Sequence, residues 1–122
     1  MSVHVAVDIG ASSGRVIVAE YEDNHFEVSE VHRFKNGFGH VDGHDRWNID
    51  DLFDNILKGL AKVKERGIAE CTLGIDTWAV DYVLVKDGEK LGHPIAYRDS
   101  RTQKGVENVF AKISKEDLYS KT

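Results

Sequence analysis

The chain is poor in the residues that mark secreted and membrane proteins. Cys71 is the single cysteine among 122 residues, so no disulfide bond can form within the chain. No apolar run approaches the ~20 residues that a membrane-spanning helix requires, and the first residues lack the basic start of a secretory signal. These absences predict a soluble cytoplasmic protein with no membrane partner.

Positive charge is also scarce. The 16 Lys and Arg residues are outnumbered by 21 Asp and Glu, which gives a net charge of -5. Because proteins meet the phosphate backbone with clustered Lys and Arg, this balance argues against a nucleic-acid partner. The apolar fraction of 41% and the charged fraction of 30% are ordinary for a globular protein, and the length suits one domain.

Two apolar, β-prone runs within residues 3–19 flank five small residues, and this pattern predicts a strand, a tight turn and a second strand. We call residues 10–14, Gly-Ala-Ser-Ser-Gly, the first turn. Gly10 and Gly14 permit backbone angles that other residues resist, and successive N–H groups in such a turn can bind phosphate. Arg15 follows where a Walker loop would have Lys, and no helix follows. The first turn is a candidate phosphate site, with an ordinary β-hairpin as the alternative.

The next 50 residues contain one strong helix signal. Asp23-Asn24 is a turn leading to a third antiparallel strand, whose alternation slips between Val28 and Val31 as in a β-bulge. Residues 36–46 are rich in Gly and His and predict a loop. Apolar residues at three- and four-residue spacing then predict a helix from about Asp50 to Arg66, capped by Asn48 and stopped by Gly67.

The second half predicts shorter elements. Residues 72–76 form a strand that a crossover helix should place parallel to the first. Residues 82–85 form another strand, followed by a hairpin turn at Asp87-Gly88. A helix is expected over residues 102–113, and Ser114 can cap a last short one.

Three sets of polar residues are candidates for chemistry. The first is a possible metal cluster at His40, Asp42, His44 and Asp45, although the spacing is not that of a zinc site and a solvated polar loop is the alternative. The second is Asp8 with Asp76, which parallel strands would bring to one sheet edge, where a carboxylate can hold Mg²⁺ through water. Both could instead bond to backbone groups of adjoining turns.

The third set contains Trp78 and the charged run Arg98-Asp99-Ser100-Arg101. Trp78 offers a flat apolar wall that suits the C–H face of a sugar, or it is a buried core residue. The charged run lines a pocket, or it is a surface ion-pair network that contributes little to stability.

Four blocks together resemble one family. They are DIGASSGR at 8–15, HRFKNG at 32–37, GIDTWAVDY at 74–82 and PIAYRDSRT at 94–102. In this order, and over nearly the whole chain, they resemble the FGGY carbohydrate kinases, and among them those that act on L-rhamnulose. The resemblance implies an α/β, ribonuclease H-like (actin-like ATPase / sugar kinase) fold. Residues 1–122 would be the first part of the N-terminal, sugar-binding domain, with a mixed sheet and flanking helices.

The resemblance also implies roles for individual residues. The ATP phosphates would bind at Ala11, Ser12, Ser13, Gly14 and Arg15. The sugar would contact Trp78, Ala79, Asp81 and Arg98, and Asp8 would hold Mg²⁺ through water. The implied reaction is ATP-dependent phosphorylation of L-rhamnulose to L-rhamnulose 1-phosphate.

Other readings stay open at this point. They are a family member acting on another ketose or polyol, and a non-catalytic actin-like module that binds a sugar or nucleotide. No residue of the chain matches the family's catalytic Asp, which acts as general base on the sugar hydroxyl. We therefore expect the isolated chain to be inactive, and its exposed sheet edges to favour self-association.

Overall fold

The computed structural model describes residues 1–122 and contains eight strands and three helices. In chain order they are β1 (Ser2–Ile9), β2 (Ser13–Glu22), β3 (His25–Lys35), β4 (Phe38–Val41), β5 (His44–Trp47), α1 (Ile49–Glu65), β6 (Thr72–Thr77), β7 (Val85–Lys86), β8 (Glu89–Lys90), α2 (Arg101–Phe110) and α3 (Lys115–Tyr119). None of these helices is long and apolar enough to cross a membrane.

A four-stranded mixed sheet in the order β3-β2-β1-β6 organises the chain. The first three strands are antiparallel, whereas β6 pairs with β1 in parallel. The expected mixed sheet with flanking helices is therefore confirmed. The predicted bulge is confirmed as well, because Val16 pairs with His32 and Ile17 with Glu30, which leaves Val31 as the extra residue.

One face of the sheet packs against α1. Alternate residues of β1 and β2 point to this face, as the two-residue period of a strand requires. The buried cluster contains Val5, Val7, Ile9, Val16, Val18, Ile56 and Val63. This core fixes β1 at the centre of the sheet, so the first turn emerges from a rigid support.

Helix α1 follows the sequence prediction closely. The Asn48 side chain accepts a hydrogen bond from the Asp51 N–H at 3.1 Å, and Gly67 adopts a φ of +82° just after the helix. Gly59 lies where the helix meets the sheet, and a Cβ there would lie 2.3 Å from Cγ2 of Val16. A side chain at this position would therefore hold the helix off the sheet.

The prediction of a loop at residues 36–46 is wrong. These residues form the β4–β5 hairpin, whose turn is Asp42-Gly43 with φ values of +52° and +75°. Buried Trp47 anchors the hairpin, and Phe38 packs edge-on against it with ring centroids 5.3 Å apart. Phe38 and Val41 of β4 are three residues apart and β5 has one apolar residue, so neither strand shows the alternation that normally identifies a hairpin.

The prediction of a strand at residues 82–85 is also wrong. Only Val85–Lys86 pairs, with Glu89–Lys90, across the predicted Asp87-Gly88 turn. This two-stranded ribbon has no further strand beside it, and an isolated ribbon of this kind is marginal in water. Helix α2 ends at Phe110 rather than at Ile113, while Ser114 caps α3 as expected by accepting from the Asp117 N–H.

Candidate functional site

The first turn joins β1 to β2 and is closed by its own backbone. The Gly10 N–H donates to the Ser13 carbonyl at 2.9 Å. The sequence explanation for its glycines is wrong, because neither Gly10 nor Gly14 adopts a positive φ. Space is the reason instead, since a Cβ on Gly14 would lie 2.2 Å from Cζ of Phe34. Glycine lets this turn press onto the aromatic ring.

Asn36, just after β3, holds the first turn from outside. Its Nδ2 donates to the Gly10 carbonyl at 2.9 Å, and its backbone N–H donates to the Ser12 carbonyl at 3.0 Å. The N–H groups of Ala11 and Ser12, by contrast, donate to no group of the protein. With carbonyls engaged and neighbouring N–H groups free, the turn has the donors of an anion-binding concavity.

Arg15 brings a positive charge to the first turn. Its Nη2 donates to the carbonyl and the Oγ of Ser13, both at 3.1 Å, and its Nη1 lies 3.2 Å from Oδ2 of Asp8. The Nε of Arg15 is buried without a hydrogen-bond partner. Because the Asp8 side chain is 42% exposed, this ion pair contributes at most about 1 kcal/mol and can rearrange around a ligand.

The structure places two acidic residues side by side at this edge of the sheet, as predicted. Asp8 and Asp76 are direct register partners across the parallel β1–β6 pair. Oδ2 of Asp8 is engaged by Arg15, whereas its Oδ1 has no hydrogen-bond partner in the chain. Since Mg²⁺ keeps several waters and takes few protein ligands, a half-exposed carboxylate with one free oxygen suits it.

A second cluster lies beside the first turn, just past the end of β6. Asp81 accepts hydrogen bonds from two indoles with a single oxygen, Oδ2: from Nε1 of Trp47 at 2.6 Å and from Nε1 of Trp78 at 2.8 Å. The two rings lie 4.4 Å apart between centroids. Trp78 is half-buried, so one part packs on the core and another stays accessible.

The bend between Trp78 and Asp81 carries backbone strain. Ala79 is exposed, and Val80 adopts a φ of +72°, which a β-branched residue rarely does. Such conformations persist only where the surroundings impose them, and they concentrate at binding sites. Here the two indole N–H groups that donate to Asp81 hold the residue that follows the bend.

A cavity of about 230 Å³ opens next to this cluster. Ile9 at the end of β1, both tryptophans and Asp81 contribute to its wall, which is mostly apolar. Of the four residues predicted to contact a sugar, Trp78 and Asp81 line this cavity and Ala79 lies between them in the chain. Arg98 does not line it; its guanidinium lies over the Tyr97 ring, 5.4 Å from the centroid.

Asp99 is a structural centre that the sequence did not reveal. It is buried and accepts from the Asp45 N–H at 2.7 Å, from Nδ1 of His44 at 3.0 Å and from the Arg101 N–H at 3.1 Å. These bonds, the one from Asp45 foremost, lower the pKa of Asp99 to about 2. The charged run at 98–101 is therefore no simple surface network, since its carboxylate joins β5 to the start of α2.

Three of the four residues considered as a metal cluster have hydrogen-bond partners, and Asp42 lies in the β4–β5 turn. His44 bonds to Asp99, and Nδ1 of His40 lies 3.0 Å from Oδ1 of Asp45. Trp47 and Asn36 were assigned no function from the sequence. A polar side chain directly after a strand end was the only available signal for Asn36, and the hairpin that positions Trp47 was not predicted.

Comparison with known proteins gives matches that cover nearly the whole of this chain. The chain is 58% identical over 123 residues to a rhamnulokinase of Ligilactobacillus salivarius, covering 100% of the chain and 25% of that protein. Rhamnulokinases of Lactiplantibacillus plantarum and Bacillus subtilis are 52% and 48% identical, with 100% and 98% of the chain covered. The chain spans about a quarter of the length of these curated relatives. No protein-family model matches it.

Solved structures show the same fold. A ligand-bound xylulose kinase from Lactobacillus acidophilus superposes with a TM-score of 0.71 at 14% identity, over 98% of the chain and 24% of that structure. The xylulose kinase from Rhodospirillum rubrum gives 0.70 at 21% identity, over 93% of the chain and 24% of its own. The chain has the ribonuclease H-like fold of a segment of these kinases.

Proposed function

We propose that this chain is part of an ATP-dependent sugar kinase. Nearly the whole chain aligns with about one quarter of the length of each rhamnulokinase relative. Residues 1–122 form the first part of its N-terminal, sugar-binding domain. The whole enzyme transfers the γ-phosphoryl group of ATP to L-rhamnulose, giving L-rhamnulose 1-phosphate and ADP. The name shared by the relatives supports this choice of sugar.

The observation that carries the proposal is the pair of unpartnered N–H groups in the first turn, beside Arg15. In phosphoryl transfer, catalysis consists mainly of positioning and charge neutralisation. The N–H groups of Ala11 and Ser12, the Ser13 hydroxyl and Arg15 would bind ATP phosphate oxygens. Gly14 contributes by its lack of a side chain, which lets the turn seat on Phe34.

Asp8 would hold Mg²⁺ through water with its free oxygen. When bound, Mg²⁺ neutralises charge developing on the phosphate oxygens. Asp8 would then exchange its contact with Arg15 for contact with the hydrated cation, which frees the Arg15 guanidinium for phosphate. A switch of partners of this kind costs little because the ion pair is half-exposed.

The sugar would lie against the second cluster. Trp78 offers an aromatic face, and Asp81 fixes that face while keeping Oδ1 without a protein partner. A sugar hydroxyl could donate to that oxygen, and the exposed Ala79 backbone would add a further contact. Arg98, which lies over the Tyr97 ring outside the cavity, would have to turn toward the sugar to contact it. Cys71 is a free, exposed thiol, which suits a reducing compartment, and we place the enzyme in the cytoplasm.

The experiment is a coupled ADP-release assay with L-rhamnulose, ATP and Mg²⁺. It compares this chain with the product of the complete reading frame, and each with its Arg15→Gln variant. We expect turnover only in the longer product, since no residue of this chain takes the role of general base. Arg15→Gln should lower kcat/KM by at least about tenfold, the loss expected for a charged hydrogen bond to phosphate.

The outcomes separate the proposals. Turnover by the 122-residue chain would contradict the proposal that it has no general base. Activity of the longer product on another sugar, with none on L-rhamnulose, would retain the kinase and discard the substrate. Sugar or ATP binding without any turnover by the longer product would favour a non-catalytic module.

A further inference from the structure

A second cavity, of about 210 Å³, lies away from the first turn and shares no residue with it. We call it the arginine pocket. Arg46 from β5, His93 from the segment after β8, and Arg101 at the start of α2 contribute to its wall, with Tyr82 and Leu91 among its apolar residues. Two arginines from separate parts of the chain thus bring positive charge to one concavity, and His93 adds an imidazole to its wall.

Neither arginine of this pocket has an acidic partner. Arg46 donates only to carbonyls, from Nη1 to His93 at 2.7 Å and from Nε to Val41 at 3.3 Å. The Arg101 guanidinium lies over the Tyr82 ring, 6.0 Å from its centroid, and is in no ion pair. These bonds orient the Arg46 fork and leave its remaining N–H groups free, a geometry that suits bidentate recognition of phosphate.

The nearby carboxylates do not neutralise the pocket. Asp50 is paired with Lys90 at 2.9 Å, and its pKa is lowered, chiefly by that hydrogen bond. The carboxylate oxygens of Asp99 accept hydrogen bonds from two backbone N–H groups and from His44. Nδ1 of His93 is buried without a hydrogen-bond partner. In a chain with a net charge of -5, this leaves a local excess of unpaired cationic and donor groups.

We propose that the arginine pocket binds a small phosphate-bearing anion, held by Arg46 and Arg101. Its volume lies below the ~300–1,000 Å³ of sites for drug-sized ligands, so it takes the phosphate group itself rather than a whole nucleotide. The ligand is inorganic phosphate or the head of a small phosphomonoester. This site shares no residue with the first turn, and the proposal does not rest on the kinase assignment. Tyr82 and Pro94 also line the cavity beside Asp81, so the two cavities adjoin.

The test is an NMR titration of the ¹⁵N-labelled chain with inorganic phosphate at constant ionic strength, with chloride as the matched salt. We expect saturable shifts at the amides of Gly92, His93 and Arg101. Arg101→Gln, at an exposed position, should weaken the affinity derived from these shifts by about tenfold. Arg46→Gln should do the same, although it also removes the bond to His93.

Two controls make the result decisive. Lys112→Gln changes the net charge equally at an exposed site past α2 and should leave the affinity within about twofold. Arg15→Gln should abolish any shifts at residues 10–15 and leave those of the pocket. Shifts confined to the first turn, shifts that fail to saturate, or equal weakening by Lys112→Gln would overturn the proposal.

A second titration, with glycerol 3-phosphate, distinguishes the two sources of phosphate. Tighter binding of the ester at the same amides would identify a phosphomonoester as the ligand. Weaker binding would identify free phosphate, and equal binding would show that the site recognises the phosphate group alone.

Discussion

A single carboxylate oxygen of Asp81 organises both tryptophans of the chain. Because the two indole N–H groups converge on Oδ2, the rings of Trp47 and Trp78 are held together and the bend after β6 is fixed. Hydrogen bonds to charged acceptors contribute more than neutral ones, about 1.5–3 kcal/mol each when buried. Because Asp81 is half-buried, we expect the two hydrogen bonds together to contribute toward the lower end of this range.

We predict that Asp81→Leu lowers the free energy of unfolding by about 2 kcal/mol, since it leaves two indole N–H groups without their acceptor. Asp81→Asn keeps an acceptor oxygen and should cost less, about 1 kcal/mol. Urea unfolding followed by tryptophan fluorescence measures the stability of both variants, because Trp47 and Trp78 are the two tryptophans of the chain. A leucine variant as stable as the asparagine variant would remove the structural role given to Oδ2.

At the scale of the element, glycine has opposite consequences in two helices. Gly59 of α1 faces Val16 of the sheet, whereas Gly105 of α2 has no atom within 4 Å of a built Cβ. Intrinsic helix propensity favours alanine at both positions by about 1 kcal/mol. In α1 the packing against the sheet outweighs this gain.

We predict that Gly105→Ala stabilises the chain by about 0.5–1 kcal/mol through propensity alone. Gly59→Ala should destabilise it by about 1–3 kcal/mol, because Cβ and Val16 overlap. Thermal unfolding followed by circular dichroism compares the pair. The contrast fails if both substitutions change the melting temperature in the same direction.

These elements also show how far the sequence alone leads. The helix bounds near Asn48 and Gly67 and the pairing of Asp8 with Asp76 follow from local signals and strand direction. The role of Asn36 and the bond from Asp45 to Asp99 are not predicted, because each joins groups more than 20 residues apart, although the run containing Asp99 is singled out. The β4–β5 hairpin is not predicted because its two short strands have no two-residue apolar period, and the hairpin is anchored by buried Trp47.

At the scale of the whole molecule, Asp99 ties the β4–β5 hairpin to the start of α2. The pKa of Asp99 in the folded chain is about 2, against an ordinary value of 3.8. A lowered pKa contributes stability that is complete above the unfolded value and is lost as pH falls toward the folded value.

We predict that Asp99→Asn lowers stability at pH 7 and flattens its decline between about pH 4 and pH 2. Asp54→Asn, an exposed carboxylate of α1 with no hydrogen bond, serves as the matched control and should keep the parent profile. The measurement is the urea midpoint as a function of pH. Parallel profiles for Asp99→Asn and the parent chain would refute this role of Asp99.

The sheet is incompletely covered on the side of β6. Leu73 and Ile75 pair with Val5 and Val7 and face the same way, yet they are 51% and 61% exposed. The outer edge of β6 carries no paired strand. Exposed apolar residues on a free strand edge are a template for association with another chain.

We therefore predict that the 13.7 kDa chain self-associates through β6. Sedimentation equilibrium should show an average mass that rises with concentration. Leu73→Lys with Ile75→Lys should suppress the rise, whereas Tyr119→Lys, at an exposed residue of α3, should not. A mass independent of concentration in the parent chain would contradict the prediction.

The bonds from Asn36 to the first turn also set an order of events during folding. The turn belongs to a local hairpin, and such hairpins form within about 1–10 μs. Its Gly10 and Ser12 carbonyls are engaged only after β3 has paired with β2 and carried Asn36 into place. Any anion affinity of the turn must therefore appear later than the hairpin itself, at the moment when the three-stranded sheet is complete.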